Sequence, residues 1–366
     1  MRGRPNPQRS MLAIVDLEER VPKDHPLRRI KEVADVALAR LSPIFDRMYA
    51  RVGWVSVPPE RLLKASLLIA LYSVRSERAF CKELEYNLLY RWFLDMDLME
   101  RSFDATVFTK NRQRLLAHDA GRALFDEVVW VANKEGLLSD EHFSVDGTLI
   151  EAAASLKSFR SKEGPSPPVD DDPGNPSVDF QGERRCNETH ASTTDPEARL
   201  LRKGPGKEAR LAGHALMENR NGLLMDFIVS QATGTAERDA VPELLDGLRE
   251  RGYRPCTLGA DRGYDTQDCV GDMRARRVTP HVAQKKKHSA INGRTTRHAG
   301  YAVSLRIRKR VEEAFGWMKT VGGLRRTRYR SVDRTGLTGY LVATAYNRIR
   351  LARLLAEPET AAGPSG

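Results

Sequence analysis

The sequence lacks paired cysteines and long apolar runs, and these two absences argue against several classes of protein. Only four cysteines occur in 366 residues, and none forms a C-x-x-C pair, which argues against a disulfide framework and a common structural zinc site. The longest apolar stretch, residues 62–74, is interrupted by Lys64 and Ser66 and is too short to span a bilayer. The N-terminus has no apolar core like that of a signal peptide. We therefore expect a reduced, cytoplasmic protein of bacterial type with no membrane contact.

The composition is that of a globular protein with a surplus of positive charge. Hydrophobic residues make up 40% and charged residues 30%, and 60 Lys and Arg against 49 Asp and Glu give a net charge of +11. A surplus of this size favours a polyanionic partner, nucleic acid before an anionic membrane.

The positive charge is concentrated towards the C-terminus. Residues 271–353 contain 21 Lys or Arg against four acidic residues. Two runs in this segment are candidates for contact with DNA phosphates, although a charge run is also typical of a solvated helix face. The candidates are Lys285, Lys286, Lys287, Arg325, Arg326 and Arg328.

The pattern of apolar residues divides the chain into a helical part and a mixed part. After a flexible arm over residues 1–22, apolar residues recur at helical spacing from 23 to 136. Residues 143–150 alternate apolar and polar side chains, as a strand does. The next segment, about 155–199, is rich in proline and poor in large apolar residues, which predicts a disordered insertion. Residues 356–366 are expected to form a flexible tail.

The order of elements after residue 140 predicts the fold class. The first strand is followed by a hairpin with Asn-Gly at its turn and then by alternating helices and strands. Two long helices, roughly 302–320 and 335–355, end the domain. This α/β order fits a ribonuclease H-like domain over residues 140–355, in which helices flank a mixed sheet. The domain follows the all-helical one.

Three acidic residues stand out by their placement. Asp146 and Asp261 each end an apolar strand, and Glu312 lies in a basic helix. Divalent cations such as Mg²⁺ bind carboxylate oxygens, and two ions about 4 Å apart would serve phosphodiester displacement. The alternative is ordinary turn chemistry for the two Asp residues and a surface ion pair for Glu312.

Helical spacing places Arg308, Glu312, Phe315 and Lys319 on one face of the predicted helix. The neighbouring Glu313 points about 100° away, so both glutamates cannot face one metal pair. The register favours Glu312 and leaves Glu313 as the second choice.

Three segments of the sequence resemble the catalytic blocks of DDE transposases from bacterial insertion sequences. They are Ser144–Thr148, Gly259–Tyr264 and Arg308–Lys319, in the chain order of that family. The last resembles the Y-R-E-K signature in its Arg, Glu and Lys. Leu305 stands where that signature has Tyr, and Tyr301 lies one helical turn earlier. Residues 59–94 resemble the helical N-terminal domain of these enzymes, of the InsH type.

The resemblance implies a two-metal DNA strand transferase. Asp146 would be shared by two Mg²⁺ ions, for which Mn²⁺ would substitute, with Asp261 and Glu312 as flanking ligands. Arg308 and Lys319 would hold DNA phosphates. The resemblance further implies cleavage at terminal inverted repeats, joining of the 3′ ends to target DNA, and a homodimer in the DNA complex, associated with the nucleoid.

Two other functions remain open. A ribonuclease H-like nuclease or resolvase would use the same carboxylates without strand transfer. A non-catalytic repressor or domesticated transposase would bind DNA only, and it would be expected to have lost at least one carboxylate. All three carboxylates are present.

Overall fold

The computed structural model of the chain describes residues 14–49, 56–162, 185–202 and 207–356. Eight helices come first within these ranges: α1 (Leu17–Arg20), α2 (Leu27–Arg40), α3 (Ser42–Met48), α4 (Pro59–Leu71), α5 (Glu77–Leu84), α6 (Leu88–Phe93), α7 (Thr106–Ala117) and α8 (Ala120–Lys134). The strands follow: β1 (His142–Glu151), β2 (Phe159–Ser161), β3 (His190–Ser192), β4 (Arg199–Arg202), β5 (Lys207–Glu218), β6 (Leu223–Gln231), β7 (Thr257–Ala260) and β8 (Thr279–Val282). Helices also lie between and after the later strands: α9 (Ala236–Glu250), α10 (Gln267–Ala275), α11 (Gly293–Thr296), α12 (Ala299–Ile307), α13 (Arg310–Thr320) and α14 (Val332–Leu354).

The N-terminal region is helical, as its apolar periodicity predicts. Ser76 and Asn87 cap α5 and α6 by accepting backbone N–H groups through their side chains. The predicted flexible arm is wrong for its described part, because α1 forms there and Glu18 accepts a hydrogen bond from Nε1 of Trp92 at 2.6 Å. The arm is therefore tied to the helical core at this point.

The sheet has the mixed topology predicted from the order of elements. Strand β5 pairs antiparallel with β1, β4 and β6. On the other side of β1, β7 pairs parallel with β1, and β8 pairs parallel with β7. This arrangement confirms the ribonuclease H-like fold. It also brings β7 beside the first residues of β1, with Ser144 opposite Gly259.

Helix α14 joins the helical region to the sheet. It is buried on several faces and packs against α2, α4, α8 and β6. Its Gly339 allows close approach, because a Cβ atom there would lie 2.4 Å from Cε1 of Phe227 on β6. The helical region and the sheet consequently share one hydrophobic core.

A buried ion network fixes the same elements. The carboxylate of Asp226 on β6 is 1% exposed. It accepts hydrogen bonds from the Tyr340 hydroxyl at 3.1 Å, from Arg251 at 2.7 Å and from Arg122 at 3.5 Å. Arg251 also bonds to Asp126 of α8 at 2.7 Å. The network therefore connects α8, α9, α14 and β6.

Two local predictions differ from the structure. The segment 155–199 is not disordered at its described ends, because β2 pairs with β3 and Phe159 of β2 is buried in a cluster with residues of the main sheet. Residues 163–184 lie outside the described residues.

The long helix expected over 302–320 is interrupted, since α12 ends at Ile307 and α13 begins at Arg310. Its hydrogen bonds tighten there to an i−3 pattern, as Glu312 N–H bonds to the Lys309 carbonyl.

None of the described helices is both long and apolar enough to cross a membrane. The predicted tail lies outside the described residues from residue 357 onwards.

The side chain of Asn347 yields a test of how α14 is held. Its Oδ1 accepts the Leu224 N–H at 2.8 Å and its Nδ2 donates to the Leu224 carbonyl at 2.7 Å, both in the buried core. Asn347→Ala leaves both backbone groups unpaired, so we expect the free energy of unfolding to fall by about 2–4 kcal/mol. Urea denaturation measures this change. Thr338→Ala, which removes an exposed bond within α14, should cost under about 1 kcal/mol; an equal loss in both variants would contradict the role given to Asn347.

Candidate active site

The two aspartates predicted from the sequence lie on neighbouring parallel strands. The prediction that each ends a strand is confirmed for Asp261, which directly follows β7, and is wrong for Asp146, because pairing with β5 continues β1 to Glu151. Strands β1 and β7 run parallel with Ser144 opposite Gly259, and Asp146 and Asp261 each stand two residues further along. Oδ1 of Asp146 accepts the Gly147 N–H at 2.8 Å, and Oδ1 of Asp261 accepts the Gly263 N–H at 2.6 Å. The second bond begins the 3₁₀ turn Arg262–Tyr264. The backbone therefore fixes one oxygen of each carboxylate.

The charged form of Asp146 is disfavoured in this environment. Burial raises its pKa to about 6, and the negative charges of Asp261 and Glu237 also raise it. The Gly147 N–H and the positive charge of Arg308 act in the opposite direction. Strongly perturbed carboxyl groups of this kind are concentrated at functional sites.

Sequence reasoning missed Glu237. This residue lies in the first turn of α9 and contacts Gly147, where a Cβ atom would lie 2.5 Å from Cγ of Glu237. The only signal in the sequence was the Asp146-Gly147 pair, since a glycine beside a functional aspartate often marks a close approach. Nothing in the sequence indicates which side chain approaches.

Arg308 joins this group from the break between α12 and α13. A Cβ atom at Gly259 would lie 3.5 Å from Cβ of Arg308, so the residue packs directly on β7. Its Nε is buried and has no hydrogen-bond partner among the described residues. Arg308 therefore places a positive charge close to Asp146.

Glu312 is not joined to this group by a contact. It lies exposed in the first turn of α13, which packs on β1, and its side chain has no hydrogen-bond or ion-pair partner in the part of the chain that the structure describes. Glu313 faces another direction, because its charge raises the pKa of Tyr346 on α14. Phe315, predicted on the face of Arg308 and Glu312, is buried, whereas Glu312 is exposed. Arg308 precedes α13 and caps the end of α12, so the predicted face is not continuous across the helix break. Lys319 is half-buried in the last turn of α13.

The donor groups suit a hard divalent cation, although no closed cage is present. Within the described ranges, no three Asp, Glu, His or Cys side chains lie close enough together to enclose a metal ion. Mg²⁺ is usually held by one or two carboxylates together with substrate phosphates. Asp146 and Asp261 supply such a pair, so the residues fit this kind of ion.

The predicted phosphate contacts fall on two exposed segments. Lys286 and Lys287 are exposed and Lys285 is half-buried in a turn held by Asp265, whose carboxylate accepts the N–H of Lys285 at 2.6 Å and of Ala290 at 2.8 Å. Asp265 follows Asp261 by four residues, so this basic turn is anchored beside the candidate site.

Arg325, Arg326 and Arg328 are exposed on the second segment, whose backbone bonds to Glu151 at the end of β1. Tyr301 does not replace the missing Tyr of the Y-R-E-K signature as a phosphate contact. It is buried, and its hydroxyl donates to the Val282 carbonyl at 2.8 Å.

Comparison with known families decides the identity of the chain. The family described as "Transposase DDE domain" matches residues 138–348, which is more than half of the chain and includes every candidate catalytic residue. The chain belongs to the DDE transposase family. The family described as "Transposase domain (DUF772)" matches residues 15–114, in the helical region of this transposase. The membership confirms the family predicted from the three sequence blocks; the Y-R-E-K branch stays a prediction.

Other comparisons add weak similarities. Among curated proteins, no match to the transposase is found. A piggyBac transposase synaptic complex with hairpin DNA has 10% identity and a TM-score of 0.37, over 90% of this chain and 79% of that one. A pre-cleavage Mos1 transpososome has 11% identity and a TM-score of 0.21, over 83% and 82% of the two chains.

Family membership makes this protein a DNA transposase, an enzyme that acts on DNA. The family generally uses divalent metal ions, and two-metal chemistry is general within it.

The raised pKa of Asp146 predicts a pH-dependent gain in stability for Asp146→Asn. The pKa rises from 3.8 to about 6 on folding, so the folded state binds the proton more tightly and loses stability as pH increases through this range. We expect Asp146→Asn to increase the free energy of unfolding by about 1–3 kcal/mol at about pH 7.5 and by almost nothing at about pH 4. Denaturant unfolding in metal-free buffer at both pH values measures the difference; a gain at low pH alone would reverse the assignment.

Proposed function

We propose that this transposase cleaves the ends of an insertion sequence and joins the freed 3′ ends to target DNA, with Asp146, Asp261 and Glu312 as the catalytic carboxylates. The observation that carries the proposal is the position of Asp146 on β1 near Asp261, which follows the end of the parallel strand β7, with Arg308 packed on Gly259 of β7. Glu312 is included because α13 packs on β1 and because Glu313 faces Tyr346.

The roles follow from the charges of these side chains. Asp146, Asp261 and Glu312 would hold two Mg²⁺ ions, or Mn²⁺ in their place, and Asp146 would be shared between them. When bound, the ions would activate the attacking oxygen and stabilise the leaving one. Arg308 and Lys319 would hold DNA phosphates next to the carboxylates, and Arg308 would favour the ionised form of Asp146.

The rest of the chain would bind and position DNA. The basic turn at Lys285–Lys287 and the segment Arg325–Arg328 are candidates for backbone contacts, which position a duplex without reading its sequence. The helical region is the candidate for reading the terminal inverted repeats. Because two transposon ends must be brought together, we propose a homodimer in the DNA complex, in the bacterial cytoplasm and associated with the nucleoid.

Replacement of the carboxylates tests the catalytic assignment. Asp146→Ala, Asp261→Ala and Glu312→Ala should each reduce cleavage and strand transfer by about 100-fold or more, because bound ions contribute several kcal/mol to the transition state. The measurement uses full-length protein, Mg²⁺ or Mn²⁺ and a labelled duplex carrying the end of the element, with DNA binding followed in parallel.

Glu313→Ala is the matched control and should keep both activities. If Glu313→Ala is inactive and Glu312→Ala is active, the assignment on α13 is wrong by one residue. Cleavage without joined products would favour the nuclease, and binding without cleavage would favour the repressor.

The basic turn can be tested through its salt dependence. Each phosphate contact contributes about 0.9 to the slope of log K against log salt concentration. The double variant Lys286→Ala, Lys287→Ala should therefore lower this slope by about 1–2. The loss should be the same for the element end and for unrelated DNA, because phosphate contacts carry no sequence information. An unchanged slope would remove this turn from the DNA interface.

A further inference from the structure

Helix α7 lies at the edge of the helical region and turns one face to solvent. Only Phe108, Asn111 and Leu115 of its 12 residues are buried, and their spacing of three and four places them on one side of the helix. The exposed residues on the opposite side are Thr106, Thr109, Lys110, Gln113 and Ala117. These side chains are small or polar, so the exposed face is not a piece of unburied core.

The charge of this face distinguishes α7 from its neighbours. Among the helices α1–α8 that the structure describes, only α6 and α7 contain no Asp or Glu, and Tyr90–Phe93 of α6 are buried. The side chain of Lys110 has no ion-pair or hydrogen-bond partner within the described ranges. An exposed helix face with positive charge and no acidic residue can approach the phosphates of a duplex without repulsion.

Contacts hold α7 in a fixed position beside one of the two basic segments. Tyr329 lies between the exposed Arg328 and Arg330, and its hydroxyl donates to the carboxylate of Glu77 on α5 at 2.9 Å. Arg112 of α7 forms an ion pair with the same carboxylate, and its guanidinium carbon lies 4.2 Å from the centre of the Tyr329 ring. The exposed face of α7 and this basic segment therefore move as one surface.

An open depression of about 520 Å³ lies where α7 meets the start of α14. Gln113 and Ala117 line one side of it, and Arg330 and Arg334, both exposed, line the other. Asp333 is the single acidic residue among the described residues that line it. A nucleic-acid strand in this depression would meet two guanidinium groups on one side and the face of α7 on the other.

We propose that α7 is the helix that reads the ends of the element, with its exposed face in the major groove and with Arg330 and Arg334 on the neighbouring phosphates. The major groove admits an α-helix, and in it Gln pairs with adenine, Lys with guanine, and Thr contacts the thymine methyl group. Thr109, Lys110 and Gln113 are the side chains placed to make such contacts. The inference rests on the proposed function, because it assumes that the helical region recognises the ends.

An ordinary solvated helix face would show the same polarity but would behave differently. In that case, an uncharged substitution on α7 would leave the preference for one DNA sequence over another unchanged. Asn133 exposes a side-chain amide on α8, in the same helical region but away from α7. Asn133→Ala is therefore the matched control for Gln113→Ala.

The first test measures binding of the full chain in EDTA, which prevents cleavage, to a duplex carrying the end of the element and to an unrelated duplex. Gln113→Ala should weaken binding to the end by about 10-fold and change binding to the unrelated duplex by less than about twofold. Its salt dependence should be unchanged because no charge is lost. Arg330→Ala should weaken binding to both duplexes equally, and Asn133→Ala should leave both within about twofold of the wild type. Thermal melting verifies that each variant is folded.

The second test changes the sequence that is read. Gln113→Arg is used to select duplexes from a random-sequence pool, beside the wild type. We expect the selected sites to differ at one or two adjacent base pairs, with guanine preferred in place of adenine, because Arg pairs with guanine in the major groove. A residue with only a structural role would not produce this change.

The outcomes separate this inference from the proposed function. The inference is overturned if Gln113→Ala keeps the wild-type preference for the end, if Gln113→Arg selects the wild-type site, or if the wild type does not prefer the end. In each of these cases, cleavage and joining by the wild type with Mg²⁺ would still support the proposed function. If the preference depends on Gln113 but the wild type never cuts or joins DNA, the role of α7 stands and the proposed function falls.

Discussion

The buried carboxylate of Asp226 is the interaction on which the arrangement of this protein depends. A charge at this depth is tolerated only if it is paired, and Asp226 is paired by Arg251, Arg122 and the Tyr340 hydroxyl, which belong to three different helical segments. The same residues fix α8, α9 and α14 against β6. Because α9 also carries Glu237 at its other end, this network in the core helps to position Glu237 against Gly147 of β1.

The candidate active site is built at some cost to stability. Asp146 is surrounded by Asp261 and Glu237, and burial already disfavours its charge. The Gly147 N–H and the positive charge of Arg308 oppose these effects. Such electrostatic strain is useful where a divalent cation binds, because the cation relieves the repulsion between the carboxylates. Surplus positive charge on the neighbouring segments, near Lys286 and Arg326, would compensate the remaining negative charge of DNA.

The helical region and the catalytic domain are separate along the sequence, but they are packed together in the structure. Helices α2, α4, α8 and α14 share one apolar core with the sheet. Gly339 and Asn347 place α14 on β6, at a distance that only a glycine and a direct backbone clamp permit. We expect that a displacement of the helical region, such as DNA binding would impose, would also shift the sheet, because α14 packs against both.

The sequence by itself determined the family and the fold class and singled out Asp146 and Asp261, because these are encoded in local patterns. Alternating strands, the order of elements and the Asp-Gly and Asp-Arg-Gly-Tyr blocks are all readable within about ten residues. The break at Arg308 escaped prediction because no Pro or Gly marks it, and the order at Phe159 escaped because it depends on pairing with residues beyond a long insertion. Tertiary structure alone decided that Glu237 meets Gly147, since residues 90 positions apart are brought together by the packing of α9 on β6 and β5. Local propensity contains no information about which helix will cover a glycine.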